Sequence, residues 1–355
     1  MRSVRVIANL ESGGAQLSAL RLAHAMEPRG WRTRFLAGSA SAEGIDLFRR
    51  RGVEVEVFRQ SGNLQYACLP AFADWLEPRL AGADIVHGHM LGAWWAAARA
   101  AGRSLPVVGS EHNAYRWPPE APFGAVRQAL ERVDLLFVHG PAAREQALRL
   151  GADPGLLREG RSAIDTDEAP VQPRLAPRRL VYVGRLHAEK GPDLLLRALA
   201  LLVPRPTTYL VGSGPMEPEL KALAGELGIE RQVKFTGWQE RPAEWLHGAT
   251  ACVVPSRFDA WSQSAVLAMR LGVPVVGTAV DGLIEVLAGG RGLAVQPEAP
   301  AALASALSDV LAGRRSTDLD AARRYARSFA PANVAELYDG AYRHLLELRA
   351  AAAHA

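Results

Sequence analysis

Short apolar runs alternate with helix-like stretches along this chain, and the alternation is run through twice. In the first half the runs are Val4 to Ala8, Thr33 to Leu36, Val53 to Phe58, Ile85 to His87, Val107 to Gly109 and Leu135 to Val138. In the second they are Leu180 to Val183, Thr208 to Val211, Val233 to Phe235, Ala251 to Val254, Val273 to Val276 and Leu293 to Val295. Strands that are apolar almost throughout are covered on both faces, and strands joined by helix-length connections pair in parallel. The pattern therefore predicts two α/β units in tandem. Between them Thr166 to Arg179 (TDEAPVQPRLAPRR) is rich in proline and charge and lacks apolar periodicity, as a linker does. The expected domains are 1–168 and 180–330, with 169–179 as linker.

The 355 residues are enough for two such cores. A net charge of +4, with arginines scattered along the chain, provides no basic stripe for a nucleic acid. The two cysteines, Cys68 and Cys252, sit in apolar surroundings and argue for a reducing compartment and packing roles. The opening MRSVRVIANL is too short an apolar run for a signal peptide, and no stretch has the length of a transmembrane segment, so the expected location is cytoplasmic.

Open parallel sheets bind ligands at the carboxyl ends of their strands, so the loops there are the candidate site. After the first strand, Asn9 to Gly14 (NLESGG) precedes a helix expected over about Ala15 to Met26; Gly13 and Gly14 would let backbone approach an anion at the helix N-terminus. Neither the dinucleotide fingerprint nor a P-loop is present, and the second strand ends in Ala37 and Gly38 without an acidic ribose partner, which counts against a nicotinamide enzyme. Three other strands close on His87 and His89, on Glu111, His112 and Asn113, and on His139. With no tight ligand spacing, these histidines are expected to form a polar crevice rim, and no metal site is assigned. The following WPPEAP, Trp117 to Pro122, is either an acceptor wall or a plain surface loop.

In the second half VGRLHAEKG, Val183 to Gly191, places Arg185 and Lys190 just before a helix over about Pro192 to Leu202, a pairing suited to a diphosphate. Gly212 and Gly214 form a turn after the next strand, which would let backbone approach a ligand. FTGWQE presents the ring of Trp238, which either meets a nucleobase or packs. The stretch Pro255 to Val276 (PSRFDAWSQSAVLAMRLGVPVV) reads as loop, helix and strand. Its loop carries Asp259, Trp261, Ser262 and Gln263. Ser264, Leu267, Ala268 and Leu271 fall at the spacing of a buried helical face.

Taken in order, VGRLHAEKG, VGSGP, FTGW, VPSRFDAW…LAM and GVPVVGT resemble the donor half of the retaining glycosyltransferases of family 4, and the Gly-Gly loop with the Glu-His-Asn strand end resembles their acceptor half. The resemblance implies a GT-B fold, two Rossmann-like doubly wound domains facing a central cleft, with the last helices, about 331–350, returning to the first domain. It implies a nucleotide-sugar donor as substrate, no cofactor and no metal. Gly14 matches the loop near the donor phosphate and His112 the histidine near the reacting sugar. Arg185 and Lys190 match the basic pair on the diphosphate. Glu111, Asn113 and Trp117 fall on the acceptor side.

Two positions depart from the family's pattern of paired glutamates. Asp259 stands at the first, which the resemblance places near the donor sugar and where aspartate keeps the charge on a shorter arm. Leu267 stands at the second, where a carboxylate would hold the ribose hydroxyls. Each lost hydrogen bond to a charged acceptor forgoes roughly 1.5 to 3 kcal/mol. A deoxythymidine diphosphate donor, lacking the 2′-hydroxyl, would lose least. The expected activity is transfer of a sugar to a small natural product such as an aminoglycoside-type cyclitol, as in antibiotic biosynthesis. A lipid-linked or polysaccharide acceptor, a sugar-nucleotide epimerase of the same fold and a non-catalytic homologue are the alternatives, and the oligomeric state is left open.

Overall fold

The computed structural model describes residues 1–11, 13–59, 69–112, 123–164 and 175–354. Cys68, Asn113, Trp117 and most of the expected linker lie outside them. The chain divides into two compact units, Met1–Ala163 with Phe329–Ala355, and Ile164–Ser328.

Among the described residues the first unit holds a seven-stranded, wholly parallel sheet: β1 (Arg2–Leu10), β2 (Arg32–Ala40), β3 (Val55–Arg59), β4 (Ile85–His89), β5 (Val107–Glu111), β6 (Leu135–Val138) and β7 (Leu157–Glu159). Their order is β3-β2-β1-β4-β5-β6-β7. The chain thus reverses direction across the sheet between β1 and β4, and this switch point is where an open α/β sheet leaves a crevice. Alternating side chains serve opposite faces. Val4, Val6 and Val86 pack with Phe72, Trp94 and Trp95 on one side, while Ile85, Val108 and Phe137 pack with Leu22, Trp31, Val334, Tyr338 and Tyr342 on the other. The second layer depends on the last helix, Pro331–His354, which is pinned by Trp31 Nε1 donating to Asp339 Oδ1 at 2.8 Å.

The second unit repeats the plan with six parallel strands among its described residues: β8 (Arg179–Val183), β9 (Thr207–Val211), β10 (Val233–Phe235), β11 (Ala251–Val254), β12 (Val275–Thr278) and β13 (Leu293–Val295). The order β10-β9-β8-β11-β12-β13 puts the switch point between β8 and β11. Cys252 is buried in β11. Arg179, expected to end the linker, instead opens β8, where its buried guanidinium is taken up by backbone carbonyls, among them that of Ala176 at 3.0 Å.

The helix after β11 corrects the sequence reading. It runs Gln263–Arg270, and it buries Ala265, Val266, Ala268 and Met269. Ser264, Leu267 and Leu271 are only half-buried. Buried Ser262 caps the helix by accepting from Ala265 N at 3.3 Å, and the small residues Ala265 and Ala268 face the core. Leu267 lies on the flank.

Candidate functional site

In the second unit the loops that follow β8 and β11 meet at the switch point. The β8 loop runs through Gly184, Arg185 and Leu186 into a short turn, Ala188–Lys190, and then the helix Pro192–Ala200. Gly191 joins turn to helix at φ 61°, and a Cβ there would lie 2.1 Å from the carbonyl oxygen of Pro255. Only glycine permits both the left-handed backbone and that approach. Arg257 N and Phe258 N donate to Glu189 O at 2.8 and 3.2 Å, so the two loops are joined by main chain as well. The side chain of Arg257 adds a bidentate pair with Asp193, at 2.7 and 2.8 Å, and donates to Ala188 O at 2.8 Å.

This frame holds three of the residues singled out from sequence. Lys190 Nζ lies 3.1 Å from Asp259 Oδ2, and that carboxylate also accepts from Ser256 Oγ at 3.1 Å. Asp259 is 6% exposed in its side chain and Lys190 24%. Arg185 is 64% exposed and ion-paired with Glu189. Tyr182, unremarked in the sequence, lies beneath: its hydroxyl donates to Arg185 O at 2.6 Å, and burial, reinforced by the nearby Asp259, pushes it well above the usual phenol range.

The glycines after β9 belong to the same frame. A Cβ at Gly212 would come within 1.9 Å of Gly184 O, and one at Gly214 within 2.4 Å of Leu186 O. Their close approach is thus to the backbone of the cationic loop. Gly212 N donates to Gly237 O at 2.9 Å, which ties in the loop bearing the half-buried Trp238, beyond β10. Trp261 Nε1 donates to Tyr325 Oη at 3.4 Å. Gln263 and Leu267 lie half-buried on the helix that Ser262 caps.

In the first unit Gly13 and the exposed Gly14 open the helix Gly14–Met26 at the carboxyl end of β1. Glu111, at the end of β5, is buried and accepts from Trp94 Nε1 at 3.2 Å. Three of the histidines expected at a crevice rim are instead enclosed. His87, His89 and His139 are buried, and with the half-buried His112 they form a ladder of rings on the sheet face covered by the last helix. Ring centroids are 4.3 Å apart for His87 and His89, 6.0 Å for His89 and His112, and 3.8 Å for His112 and His139. Side-chain parity explains the stack: His87 and His89 are two apart on β4, and His112 and His139 extend the same faces of β5 and β6.

The ladder's partners were invisible in sequence. His87 hydrogen-bonds Tyr342 Oη and, at 2.8 Å, Ser110 Oγ, while His139 Nε2 lies 3.4 Å from Tyr338 Oη. Arg5, fully buried on β1, donates to His89 Nε2 at 3.1 Å and to Tyr342 Oη at 3.4 Å. A ring nitrogen that accepts from a guanidinium carries no proton, so this contact keeps His89 neutral. Burial holds His112 down to about 4. Burial first, and then neighbouring histidines and Arg5, hold His87 and His89 well below the ordinary range; burial with His112 and His89 does the same for His139.

Comparison with known proteins follows the same division. Residues 12–168 match the family described as Glycosyltransferase Family 4, and residues 177–313 match Glycosyl transferases group 1. A D-inositol 3-phosphate glycosyltransferase of Mycolicibacterium gilvum is 34% identical over 290 residues, covering 71% of this chain and 64% of that protein, so the chain spans less than two thirds of its length. One from Jonesia denitrificans is 30% identical over 288 residues, covering 69% of this chain and 68% of the relative. Among solved structures, Anabaena HepE in complex with UDP and glucose superposes with a TM-score of 0.80 at 20% identity, over 97% of this chain and all (100%) of that one. At that identity the likeness is one of fold, and the fold is GT-B.

Proposed function

The chain belongs to glycosyltransferase family 4, and from that premise we propose that it moves a sugar from a nucleoside-diphosphate sugar to a hydroxyl of a cyclitol, with retention of anomeric configuration. The observation that carries this reading is the cationic loop at the β8/β11 switch point, with Arg185 and Lys190 ahead of the helix Pro192–Ala200. Cations and a helix N-terminus at that place suit the two phosphates of a donor. The relatives' names support the acceptor class, since D-inositol 3-phosphate is a cyclitol phosphate.

In the proposed reaction the bond from the anomeric carbon to the phosphate oxygen breaks, and a bond to the acceptor oxygen forms on the same face. The acceptor proton passes to the departing phosphate. Lys190 and Arg185 stabilise the negative charge that grows on that phosphate, an electrostatic contribution that is largest in the transition state. His112, held neutral near pH 7 by burial, orients a sugar hydroxyl and does not store the proton.

The donor base is the finer part of the proposal. Leu267 offers no acceptor to a ribose, which favours a deoxythymidine diphosphate sugar. A thermal-shift panel of UDP, dTDP, GDP and ADP tests this, followed by a transfer assay with inositol phosphate as acceptor. Stabilisation by dTDP at least equal to that by UDP is expected. Much stronger stabilisation by UDP would overturn the base assignment, and the lack of any response to nucleoside diphosphates would overturn the donor site itself.

A further inference from the structure

We infer that Asp259 is a counter-ion latch on Lys190, competing with the ligand's phosphates for the ammonium and so setting how tightly the diphosphate is held, in place of contacting the transferred sugar. The inference rests on the donor-site reading above. Its ground is the state of the carboxylate: Oδ2 is shared between Lys190 Nζ and Ser256 Oγ, each at 3.1 Å, and the side chain is 6% exposed. A carboxylate so enclosed has little surface left for a sugar. The ammonium is more open, at 24%, and a lysine has three donors, so phosphate oxygens can reach it while Asp259 holds it.

The pair is fixed by the frame around it. The turn carrying Lys190 and the loop carrying Asp259 are joined by the hydrogen bonds of Arg257 N and Phe258 N to Glu189 O, and by the contact at Gly191 that admits no Cβ. The two stretches of backbone that carry the pair are therefore tied to one another. The other cation of the loop differs, because the Arg185–Glu189 pair, with side chains 64% and 35% exposed, is screened by water. A diphosphate therefore competes chiefly with Asp259. When the nucleoside diphosphate leaves, the ammonium still has that carboxylate as its counter-ion, which speeds release.

Calorimetric titration of UDP and dTDP, neither of which carries the transferred sugar, tests the latch in wild type, Asp259→Asn, Asp259→Glu, Lys190→Met and the double variant Asp259→Asn/Lys190→Met. Asp259→Asn is expected to tighten the better of the two ligands by roughly 5- to 150-fold, the usual range of a coupling between two sites. The gain should vanish when Lys190 is Met, and Asp259→Glu, which keeps the charge, should stay near wild type. Unchanged or weakened affinity in Asp259→Asn overturns the latch, above all if nucleotide sugars are weakened while UDP and dTDP are not. A double-mutant cycle of Lys190→Met and Asp259→Asn in ligand-free unfolding must show coupling, and its absence also overturns the pair. Failure of the wild type to bind either nucleotide sinks the donor-site reading and the competition with it, whereas loss of the Asp259 effect alone sinks only the latch.

Discussion

Arg257 and Asp193 face each other fork to fork, Nη1 to Oδ1 at 2.7 Å and Nη2 to Oδ2 at 2.8 Å, and so bolt the loop after β11 to the helix after β8. Both side chains are mostly shielded, at 23% and 18% exposure, and Arg257 also pairs with Glu298 at 2.5 Å. Burial alone would push the Asp193 carboxyl up, but the Arg257 hydrogen bonds and charge outweigh it and hold it below the usual range. Arg257→Ala is expected to destabilise the protein by about 1.5 to 3 kcal/mol, the range for hydrogen bonds to charged groups. Lys at this position recovers only part, since a point charge cannot make the fork. Denaturant unfolding measures both.

The histidine ladder makes stability depend on pH. These rings have folded pKa values depressed below the ordinary 6.5, so the unfolded chain binds protons that the folded chain refuses. Stability is complete above about pH 6.5 and falls as the pH drops from there toward 4, by on the order of 1 kcal/mol per pH unit for each of the rings. Equilibrium unfolding between pH 7.5 and 4.5, at roughly constant ionic strength, checks it. The variant His87→Gln should flatten the slope even if it lowers stability at pH 7.5, because one titrating group is gone.

Gly191 separates framework from chemistry. Gly191→Ala must place a Cβ 2.1 Å from Pro255 O with φ at 61°. The left-handed backbone alone costs about 1 to 2 kcal/mol, and relieving the contact must move the loop of Asp259 away from Lys190. The expected outcome is a lower melting temperature together with weaker nucleoside-diphosphate binding. At Gly228, also at positive φ but with open space around a Cβ, alanine should destabilise without touching the affinity.

What could be read in advance follows from how local each signal is. The apolar runs marked twelve of the strands, from β1 to β6 and β8 to β13, because parallel strands covered on both faces must be apolar along their length. The strand β7, Leu157–Glu159, has one apolar residue in three and lies at the sheet edge, so it left no such mark. The loop of Arg185 and Lys190 was legible because both cations fall between a strand and a helix. The face of the helix Gln263–Arg270 was not, because Ser264 and Leu267 satisfy the same spacing as Ala265 and Ala268, and the packing of the helix on the rest of the unit decides between them. The ladder was out of reach: Arg5 and Tyr342 stand 337 positions apart, and nothing local to either announces the other.

Leu267 offers the sharpest test of donor choice. It is half-buried and outside the set of residues that pack the helix Gln263–Arg270 onto the core, so a glutamate there would keep its charge in water and leave the packing intact. If the missing carboxylate is what frees the donor from a ribose, Leu267→Glu should restore an acceptor for ribose hydroxyls. Each charged hydrogen bond regained contributes roughly 1.5 to 3 kcal/mol, so UDP should bind about tenfold or more tightly than it does to wild type. The gain for dTDP should be smaller, since its sugar lacks the 2′-hydroxyl. Competitive titration of the two nucleotides against each variant reads the ratio directly, and the melting temperature of Leu267→Glu reports whether the helix is undisturbed. An unchanged ratio in a variant that melts like wild type would mean that the nucleoside lies elsewhere than beside Leu267.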